Sequence, residues 1–489
     1  MRLLSSAALR ARLPRRAVLG ATAATALATL QPARAAAAAA PRRVPPTARP
    51  ARGAVPSDPE VARQVKAEFV HSWEGYKRSA WGYDELRPLS AGHNDFYLPG
   101  RTFGLSIVEA LDTLYVMELD HEVKLAADWI EQHLDPAQDG DIHVFEAVIR
   151  LVGGLLSGHL CTGRAELLKR CRELTDRLLP AFTASPTGIP YTHVNLRTGA
   201  VSGTNPPLAE IGSNVLEFGL LSQLTGDSRY YDAAKRAYRA VLERRTSLDL
   251  LGTTLDTESG RWLDTASVAP NPPVDSFYEY LWAGGELFAD QELSDWYRLL
   301  TDAVLRNQSE RRHGRLLFTQ VDAETGKVLG HGQSELGSFY AGLLGKGGNL
   351  DQGADYHRTW TALLDTYPLL PEAVDFTALQ VTSPRNDLRP EYANSAFDLW
   401  RLTGDAAYKR SAYRYFRGLR DHLRVPGGYT VAADVTSRPV QLGDLTPGYW
   451  FAENPKYLYL MFADSPRFDQ RGGLLSTEGK ILRGAVRAK

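Results

Sequence analysis

The segment VFEAVIRLVGGLLSG, residues 144–158, has the apolar content of a buried helix but also contains two charged residues. At about 100° per residue, Glu146 and Arg150 lie on one narrow stripe together with Gly153 and Ser157. Apolar side chains cover the rest of the helix surface. A helix that is buried on nearly all sides holds a carboxylate only where that group has a partner or a function. We therefore predict an inner helix whose polar stripe faces a cavity.

Segments of two kinds alternate along the chain about seven times. Apolar segments with a polar stripe are expected to form an inner ring of helices, and charge-rich amphipathic segments an outer ring that covers it. The charge-rich segments are residues 60–79, 121–134, 164–179, 228–245, 293–309, 354–366 and 405–422. The apolar segments are residues 103–118, 142–160, 208–224, 274–289, 334–345, 390–402 and 449–463.

Short signals between these segments support the same arrangement. In QLTGDSRYYDAA and RLTGDAAYKRSA, Gly226 and Gly404 are suited to end an inner helix. Asp227 and Asp405 are then suited to cap the outer helix that follows. The segments VNLRTGAV, LDTESGRWL and VDAETGKVL are typical of β-hairpins. We therefore predict an all-α fold, an (α/α)7 barrel with short β-hairpins in the connections between its helices.

Composition limits the possible classes of function. The net charge is −1 and basic residues are not clustered in the body of the chain, so neither nucleic acid nor an anionic membrane is an expected partner. The 489 residues include only two cysteines, Cys161 and Cys171, which excludes a disulfide framework and a cysteine-rich zinc site. We expect both to be buried thiols.

The N-terminal residues predict export. Residues 1–35 are interpreted as a twin-arginine-like signal peptide, because Arg15 and Arg16 precede a weakly apolar stretch that ends in the cleavage-type sequence ARA. This stretch is too short for a good membrane span, so no stable membrane insertion is expected after cleavage. Residues 36–57 are rich in Ala, Pro and Arg and are predicted to be a disordered tether. Residues 58–489 are then expected to form a single exported barrel domain, extracellular or periplasmic.

The polar stripes of the predicted inner helices repeat one chemistry. A single buried carboxylate is usually paired for structural reasons, but six inner segments direct carboxylates towards one cavity. Like charges packed together repel one another unless a cation or a cationic transition state lies among them. This combination indicates acid/base chemistry on a sugar, beside a metal that prefers oxygen ligands. The carboxylates belong to Glu109, Asp112, Glu146, Glu210, Glu217, Asp275, Glu279, Glu391, Asp398 and Glu453.

An ordered set of segments is more specific than any single one. The chain contains, in order, AWGYDELRPLS, SIVEALDTLYVMEL, VFEAVIRLVGGLLSGHLCTG, IPYTHVNLRTG, AEIGSNVLEFGLLSQLTGD, DSFYEYL, LRPEYANSAFDLWRLTGD and STEGK. Together they resemble the signatures of glycoside hydrolase family 47, the class I α-1,2-mannosidases, which trim mannose from high-mannose N-glycans. The resemblance extends from about residue 65 to about residue 480. It implies the same barrel, with a C-terminal hairpin as a plug.

The resemblance implies roles for the catalytic residues. Glu146 matches the general acid, and Arg150 is its neighbour on the helix. Glu391 matches the general base, with Arg389 beside it, and Asp275 matches a third catalytic carboxylate that could share either role. From the neighbouring charges we expect Arg150 to orient Glu146 without forming a tight pair, and Arg389 to help keep Glu391 ionised.

The resemblance also implies a cofactor and a substrate. Glu210, Glu453 and Glu478 match carboxylates that hold the sugar in the −1 subsite or the waters of a metal ion. Thr477 matches a threonine that binds Ca²⁺ through its hydroxyl and carbonyl oxygens. The implied reaction is Ca²⁺-dependent hydrolysis of α-1,2-linked mannose from an N-glycan or another mannose-containing oligosaccharide, with inversion at the anomeric carbon. We expect the enzyme to be a monomer.

Two positions depart from the family pattern, and two other functions stay open. Pro273 stands where members often have arginine or leucine, and Glu335 stands where many have histidine, which leaves the specificity beyond the −1 sugar undecided. The alternatives are a related α/α-barrel glycosidase that acts on another α-mannoside, and a decayed glycan-binding protein. Retention of the catalytic carboxylates argues against decay. Release of mannose from α-1,2-mannobiose would separate the α-1,2-mannosidase from both alternatives.

Overall fold

In the computed structural model, which describes residues 56–378 and 380–486, seven outer helices alternate with seven inner helices. The outer helices are Asp58–Ser79, Asp120–His133, Ala165–Leu178, Arg229–Leu242, Gln291–Asn307, Leu350–Thr361 and Ala406–Leu423, and short turns Pro180–Thr183 and Ala362–Asp365 follow the third and the sixth. The inner helices are Leu105–Val116, Val144–Thr162, Leu208–Gly212 with Val215–Thr225, Asp275–Phe288, Glu335–Phe339 with Tyr340–Lys346, Glu391–Thr403, and Gly448–Ala452 with Asn454–Phe462.

The inner helices form a closed ring. Each inner helix packs against the next one along the chain, and the seventh packs against the first. The outer helix that follows each inner helix covers it from outside, and the first outer helix covers the seventh inner one. This arrangement is an (α/α)7 barrel, as the alternation of segments predicted.

Burial follows the two kinds of sequence pattern. Every residue of the inner helix Leu105–Val116 is buried. In the outer helix Ala165–Leu178, by contrast, the buried residues form a single stripe, which consists of Leu167, Cys171, Leu174, Thr175 and Leu178. The inner helix Val144–Thr162 is long and apolar enough to cross a membrane, but most of it is buried inside the barrel. We therefore assign it to the core.

The predicted joints between helices are present. Gly226 and Gly404 end inner helices in the left-handed conformation, with φ values of 74° and 70°. The side chain of Asp405 caps the following outer helix by accepting a hydrogen bond of 2.7 Å from the N–H of Ala407. At the start of Arg229–Leu242 the N-cap is Ser228, and Asp227, one residue earlier, accepts a hydrogen bond of 3.2 Å on its Oδ1 from the N–H of Arg229.

Short antiparallel strands surround the end of the barrel at which the inner helices begin. All but one set lie in connections from an outer to an inner helix, and they include the three predicted hairpins. The sets are Glu85–Arg87 with Gly92–Asn94; Asp141–His143, His193–Asn195 and Val201–Ser202; Thr254–Leu255 with Trp262–Asp264; Ala266–Ser267, Gln320–Asp322 and Val328–Gly330; Ser309–Arg312 with Arg315–Phe318; Gly332–Ser334, Ala373–Asp375 and Gln380–Ser383; Arg424–Val425 with Gly428–Tyr429; Ala432–Asp434 with Gln441–Leu442; and Leu474–Leu475 with Ile481–Arg483.

The last of these sets, Leu474–Leu475 with Ile481–Arg483, is the C-terminal hairpin, and it enters the barrel. Its second strand packs against the inner helix segment Gly153–Thr162. Ser157 on that helix accepts a hydrogen bond of 3.0 Å from the N–H of Ile481. Lys480, in the loop between the two strands, is fully buried. The hairpin therefore plugs the barrel, as the resemblance implied.

Small residues on the second inner helix make room for this packing. A Cβ atom on Gly154 would lie only 2.6 Å from Cγ1 of Val108 on the first inner helix. A Cβ on Gly153 would lie 3.3 Å from Cγ of Lys480. The glycines of this helix thus form a packing surface, whereas Glu146 and Arg150 belong to the cavity described below.

Four inner helices depart from regular α-helical geometry near the cavity. The second contains a π-helical turn, Ala147–Val152, directly after Glu146. The third is interrupted after Gly212, and the fifth begins as the 3₁₀ turn Glu335–Phe339. The seventh is interrupted at Glu453, whose φ and ψ are −126° and −74°. Irregular turns of this kind are frequent at functional sites.

The described residues belong to one compact unit, Val55–Lys489. The signal peptide predicted at residues 1–35 lies outside the described residues, and so does the tether at 36–57 except for its last two residues. Both stay predictions, as does the start of the barrel domain at residue 58. Cys161 and Cys171 are both buried thiols, as expected.

Candidate active site

A cavity of about 260 Å³ opens at the end of the barrel where the inner helices begin. Residues from the first turns of the second to the seventh inner helices form its wall, and the loop of the C-terminal hairpin closes it from within. The cavity is lined by all nine site residues predicted from the sequence, which are Glu146, Arg150, Glu210, Asp275, Arg389, Glu391, Glu453, Thr477 and Glu478.

The fold explains how residues so far apart in the chain meet. Glu210, Asp275 and Glu391 lie at or near the first residue of the third, fourth and sixth inner helices. Because neighbouring inner helices run side by side around the ring, their first turns share one end of the barrel. The second and sixth helices lie on different sides of this ring, so Glu146 and Glu391 approach the cavity from different walls.

Arg150 lies at the centre of a buried group of carboxylates. Its Nε donates a hydrogen bond to Glu146 Oε2 at 2.6 Å, and its Nη1 donates to Glu478 Oε2 at 2.7 Å. Nη1 also lies 3.6 Å from Glu109 Oε1. The prediction that Arg150 orients Glu146 without a tight pair is therefore wrong. A guanidinium removed from water needs carboxylate partners, and Glu146 lies one helical turn away.

Burial dominates the protonation of Asp275 and Glu391. It raises the pKa of Asp275 to about 6, against the lowering effects of the Ser276 N–H and the charge of Arg389. Burial raises the pKa of Glu391 to about 8, although Arg389 and the hydrogen bond at the helix start both lower it. Arg389 was expected to help keep Glu391 ionised. Its charge does lower the pKa of Glu391, but the effect of burial on that pKa is larger.

Arg389 is held by acidic and aromatic neighbours. Its Nη2 lies 3.4 Å from Glu372 Oε1 and 3.9 Å from Asp387 Oδ2. Its guanidinium also lies over the ring of Tyr449, 5.5 Å from the centroid, and Arg150 lies over the same ring at the same distance. Tyr449 lines the cavity, so the two arginines hold an aromatic side chain in its wall.

Deeper in the barrel, two buried lysines neutralise carboxylates of the first inner helix. Lys456 Nζ lies 2.6 Å from Asp112 Oδ1 and donates to the carbonyl oxygen of Gly479 at 2.6 Å. Lys480 Nζ lies 3.5 Å from Glu109 Oε1. Both lysines are 0% exposed. They attach the loop of the C-terminal hairpin to the ring of inner helices.

A third lysine, Lys346, pairs with carboxylates on the opposite side of the barrel. Lys346, at the end of the fifth inner helix, lies 2.8 Å from Asp398 Oδ2 and 3.9 Å from Glu279 Oε1. Glu279 also forms a hydrogen bond with the side chain of Thr477, and this bond opposes the rise that burial causes in its pKa. Lysines thus pair with Glu109, Asp112 and Asp398 beneath the cavity lining, and Lys346 also lies near Glu279 in that lining.

Burial and mutual repulsion make ionisation of the carboxyl groups nearest Thr477 unfavourable. Burial raises the pKa of Glu478 to about 8, although the charge of Arg150 lowers it. Burial, together with the charges of Glu478 and Glu391, raises the pKa of Glu453 well above its usual value. In the part of the chain that the structure describes, the buried Oε2 of Glu391 accepts no hydrogen bond.

This donor set fits a hard cation that keeps several waters. All the side-chain donors around Thr477 are oxygens, and they repel one another unless positive charge is added. Among residues 56–378 and 380–486, no three His, Cys, Asp or Glu side chains are arranged to hold an ion by themselves. A cation at Thr477 would therefore be held mainly through water, which suits Ca²⁺ better than zinc.

The structure adds lining residues that the sequence analysis missed. Phe145 and Tyr449 line the cavity. Tyr449 lies one turn before Glu453 on the same polar stripe and could have been recognised from this spacing, whereas Phe145, next to Glu146, belongs to an apolar face of a regular helix. His143 contacts Glu210 at 3.0 Å, a contact that no local pattern in the sequence indicates.

The two departures from the family pattern differ in position. Pro273 lines the cavity, next to the start of the fourth inner helix. Glu335 is 0% exposed, and the cavity is lined by its neighbour Leu336 instead. Burial and the nearby charges of Glu372 and Glu391 raise the pKa of Glu335 well above its usual value. Pro273 is thus placed to affect specificity directly, whereas Glu335 acts only through its neighbours.

Comparison with known proteins identifies the family of the chain. A family model described as glycosyl hydrolase family 47 matches residues 68–484. α-Mannosidase I MNS5 of Arabidopsis thaliana is 33% identical over 451 residues, covering 87% of this chain and 77% of its own. Mannosyl-oligosaccharide 1,2-α-mannosidase IA of Sus scrofa is 31% identical over 461 residues, covering 88% and 70%. The structure of an α-1,2-mannosidase from Trichoderma reesei matches with a TM-score of 0.80 and 26% identity over 88% of this chain and 99% of its own. This chain belongs to glycosyl hydrolase family 47.

Proposed function

We propose that this chain is an exo-acting, inverting α-1,2-mannosidase that hydrolyses terminal mannose from high-mannose oligosaccharides. The observation that carries the proposal is the lining of one cavity by all nine residues matched to family signatures. Relatives over most of the chain are named as mannosyl-oligosaccharide 1,2-α-mannosidases. A small cavity closed from within by a hairpin suits the removal of one sugar from a chain end better than cleavage inside a chain.

The chemistry is assigned to three carboxyls. In this proposal Glu146 delivers a proton to the glycosidic oxygen, and Glu391 accepts a proton from the water that attacks the anomeric carbon. Asp275, with a pKa of about 6, is partly protonated near neutral pH and is able to share either role. Arg150 holds Glu146 and Glu478, so it fixes the acid relative to the sugar-binding carboxylates.

Inversion requires room for a water molecule between the base and the sugar. The positions of Glu146 and Glu391 on different walls of the cavity support this outcome. A nucleophilic carboxylate in a retaining enzyme would instead lie close to the acid, at about 5 Å. The proposal therefore predicts that β-mannose is the first product.

Turnover of α-1,2-mannobiose followed by proton NMR tests the proposal. The wild type should release β-mannose first, and α-1,3- and α-1,6-mannobiose should be poorer substrates. Glu146→Gln and Glu391→Gln should each lower kcat by about 10²-fold or more with a modest change in KM. The matched control is Glu286→Gln, on the inner helix of Asp275 but outside the cavity lining, and it should behave as wild type.

A second substrate separates the two roles. Fluoride leaves without needing a proton, so α-mannosyl fluoride should restore turnover to the variant of the general acid but not to that of the base. Rescue of Asp275→Asn instead of Glu146→Gln would move the acid role to Asp275. Release of α-mannose first would exclude inversion.

Activity on another α-mannoside is the second candidate, and Pro273 is the observation that favours it. Its ring lines the cavity where the resemblance implies arginine or leucine. A proline offers neither a charge nor hydrogen-bond donors to a sugar. Faster hydrolysis of α-1,3- or α-1,6-mannobiose than of the α-1,2 isomer would support this candidate.

We propose Ca²⁺ as the cofactor. Thr477 is its direct protein ligand, and Glu210, Glu453 and Glu478 hold its waters or the sugar. When bound, the cation supplies positive charge that orients sugar hydroxyls and offsets the repulsion among the buried carboxylates. The chain's own residues do the rest: they bind the sugar, hold Glu146 and transfer protons.

We also propose that the enzyme is exported and works as a monomer on glycans outside the cytoplasm. The Arg15–Arg16 pair and the following stretch support export. A relative is named as an endoplasmic reticulum mannosidase, which is a protein of the secretory pathway. A near-neutral net charge of −1 gives the protein no general attraction for nucleic acid or an anionic membrane.

A further inference from the structure

His143 connects the starts of two inner helices that line the cavity. It is the last residue of the strand Asp141–His143 and directly precedes the helix that contains Glu146. Its Nε2 lies 3.0 Å from Oε2 of Glu210, on the third inner helix. Glu210 lines the cavity, whereas His143 is not part of that lining and contacts the carboxylate from beside it. The imidazole is therefore placed to act on the cavity through Glu210.

The backbone fixes the ring on its other side. Strand Asp141–His143 pairs with His193–Asn195, and His143 lies opposite His193. The two imidazole rings are 5.0 Å apart. Nδ1 of His193 lies 2.7 Å from Oγ1 of Thr192, so the second ring is held in turn. His143 thus has a defined position between the strand pair and Glu210.

The surroundings of His143 and His193 shift the pKa values of the two imidazoles in opposite directions. For His143, burial alone would lower its pKa, but the carboxylate of Glu210 at 3.0 Å, together with the charge of Glu146, raises it above the usual value. Burial and the nearby His143 lower the pKa of His193, against the raising effects of Glu210 and Asp141. On acidification His143 is therefore the first of the two rings to take up a proton.

We propose that His143 is a positioning residue, which in its protonated form holds the carboxylate of Glu210 in the orientation that binds the sugar. This inference rests on the sugar-binding role proposed for Glu210. A protonated imidazole donates through both nitrogens, and its bond to a carboxylate is charge-assisted. When the proton is lost, the attraction weakens and Glu210 is held less firmly. Sugar binding then depends on pH, whereas the chemical step belongs to other carboxyls.

Kinetics as a function of pH test the inference. On α-1,2-mannobiose, His143→Gln should raise KM by about tenfold on the acidic side of the His143 pKa, and it should change kcat by no more than about twofold. The ratio of the two KM values should approach one at alkaline pH, where wild-type His143 is neutral. A purely structural role would raise KM by the same factor at every pH, and that result would overturn the proposal.

His331→Gln is a matched control. Its Nε2 lies 3.3 Å from Oε2 of Glu310, in a similarly half-exposed pair outside the cavity lining. This variant should leave the pH dependence of KM unchanged. The same shift in His331→Gln as in His143→Gln would mean that the effect does not act through Glu210, and it would overturn the proposal.

NMR titration of the imidazoles gives a readout that needs no turnover. In the intact protein, Glu210→Gln should lower the pKa of His143 and leave that of His331 unchanged. An unchanged His143 pKa would exclude the coupling. If the wild type proves inactive on every mannobiose, the proposed function fails, and calorimetric binding of mannose to wild type and His143→Gln still gives the same comparison.

Discussion

Burial and Arg389 act in opposite directions on the two carboxyls at the starts of the fourth and sixth inner helices. Burial raises the pKa of Asp275 to about 6 and that of Glu391 to about 8, and the charge of Arg389 lowers both. The balance matters because a base works only in its ionised form. A single arginine therefore helps to set the pH range of the reaction.

Replacing Arg389 by methionine removes this positive charge but keeps much of the side-chain volume. Without the charge, the pKa values of Asp275 and Glu391 rise, so at any given pH a smaller fraction of the base is ionised. The acidic limb of the kcat/KM profile should move to higher pH by about one unit. The control is Arg385→Met, since the exposed Arg385 pairs with Asp387 at 2.7 Å and should leave the limb in place.

At the scale of single residues, the identities of the site residues could be predicted from the sequence, but the contacts between their side chains could not. The nine site residues followed from the resemblance of ordered segments to family signatures, whereas periodicity alone indicated only the polar stripes of the inner helices. The tight pair between Arg150 and Glu146 depends on how deeply the guanidinium is buried, which is a property of the assembled barrel. The contact of His143 with Glu210 depends on strand register, which no local pattern specifies.

At the scale of elements, regular helices could be predicted and their interruptions could not. The alternation of two periodic patterns gave all seven pairs of helices, because burial on one face or on all faces leaves a direct imprint on the sequence. The π-helical turn Ala147–Val152 and the break at Glu453 have no such imprint. Both lie at the cavity lining, where tertiary contacts override local preference.

Gly154 tests the close packing between the first and second inner helices. A Cβ there would lie 2.6 Å from Cγ1 and 2.9 Å from the carbonyl oxygen of Val108. Because a backbone atom cannot easily move away, Gly154→Ala should lower the free energy of unfolding by about 1–3 kcal/mol in urea denaturation.

The neighbouring glycine supplies the control for this prediction. In Gly153→Ala the nearest atom would be Cγ of Lys480 at 3.3 Å, and alanine is the better helix former by about 1 kcal/mol. The two effects should nearly cancel. Equal stability of both variants would contradict the assignment of Gly154 to the helix contact.

At the scale of the whole molecule, several buried carboxyl groups favour their protonated form. Burial raises the pKa of Glu217 and of Glu391 to about 8 and that of Glu335 well above its usual value. In the unfolded chain these groups titrate near 4.3, so between that pH and about 8 the folded protein binds more protons than the unfolded one. Stability due to these groups is therefore greatest at acidic pH and decreases as the pH rises through this window.

Calcium should oppose this loss. After treatment with a chelator, the midpoint of thermal unfolding should fall by several degrees between pH 6 and pH 8.5. Saturating Ca²⁺ should reduce the fall, since an ion that binds only the folded protein stabilises it by about 2.7 kcal/mol at one hundred times its Kd. Thr477→Ala should abolish the calcium effect. A midpoint that rises with pH, or one that zinc but not calcium shifts, would contradict the prediction.

The variant Glu217→Gln tests whether buried carboxyl groups cause the pH dependence of stability. Its Oε1 accepts a hydrogen bond of 2.8 Å from the hydroxyl of Tyr280, deep among the inner helices. Glutamine keeps the shape and the acceptor but never ionises. Glu217→Gln should therefore raise stability more at pH 8.5 than at pH 6, as measured by the same thermal scans.

Export can be tested on the full chain. Replacing Arg15 and Arg16 together by lysine should stop twin-arginine export, while a general secretory route would tolerate the change. Cell fractionation should then find the precursor inside the cell, and N-terminal sequencing of the exported wild type should begin at or soon after Ala36. Unchanged secretion of the double variant would rule out the twin-arginine route.

The C-terminal hairpin also sets the time at which the enzyme becomes active during its own synthesis. A ribosome finishes the last inner helix, at Phe462, before it reaches Thr477 and Glu478. A nascent chain with all seven pairs of helices therefore still lacks two residues of its cavity lining and the lysine that ties the loop to Glu109. A chain that stops between Phe462 and Thr477 has the ring of helices but an incomplete cavity, so the site is complete only once the loop of the hairpin has been synthesised.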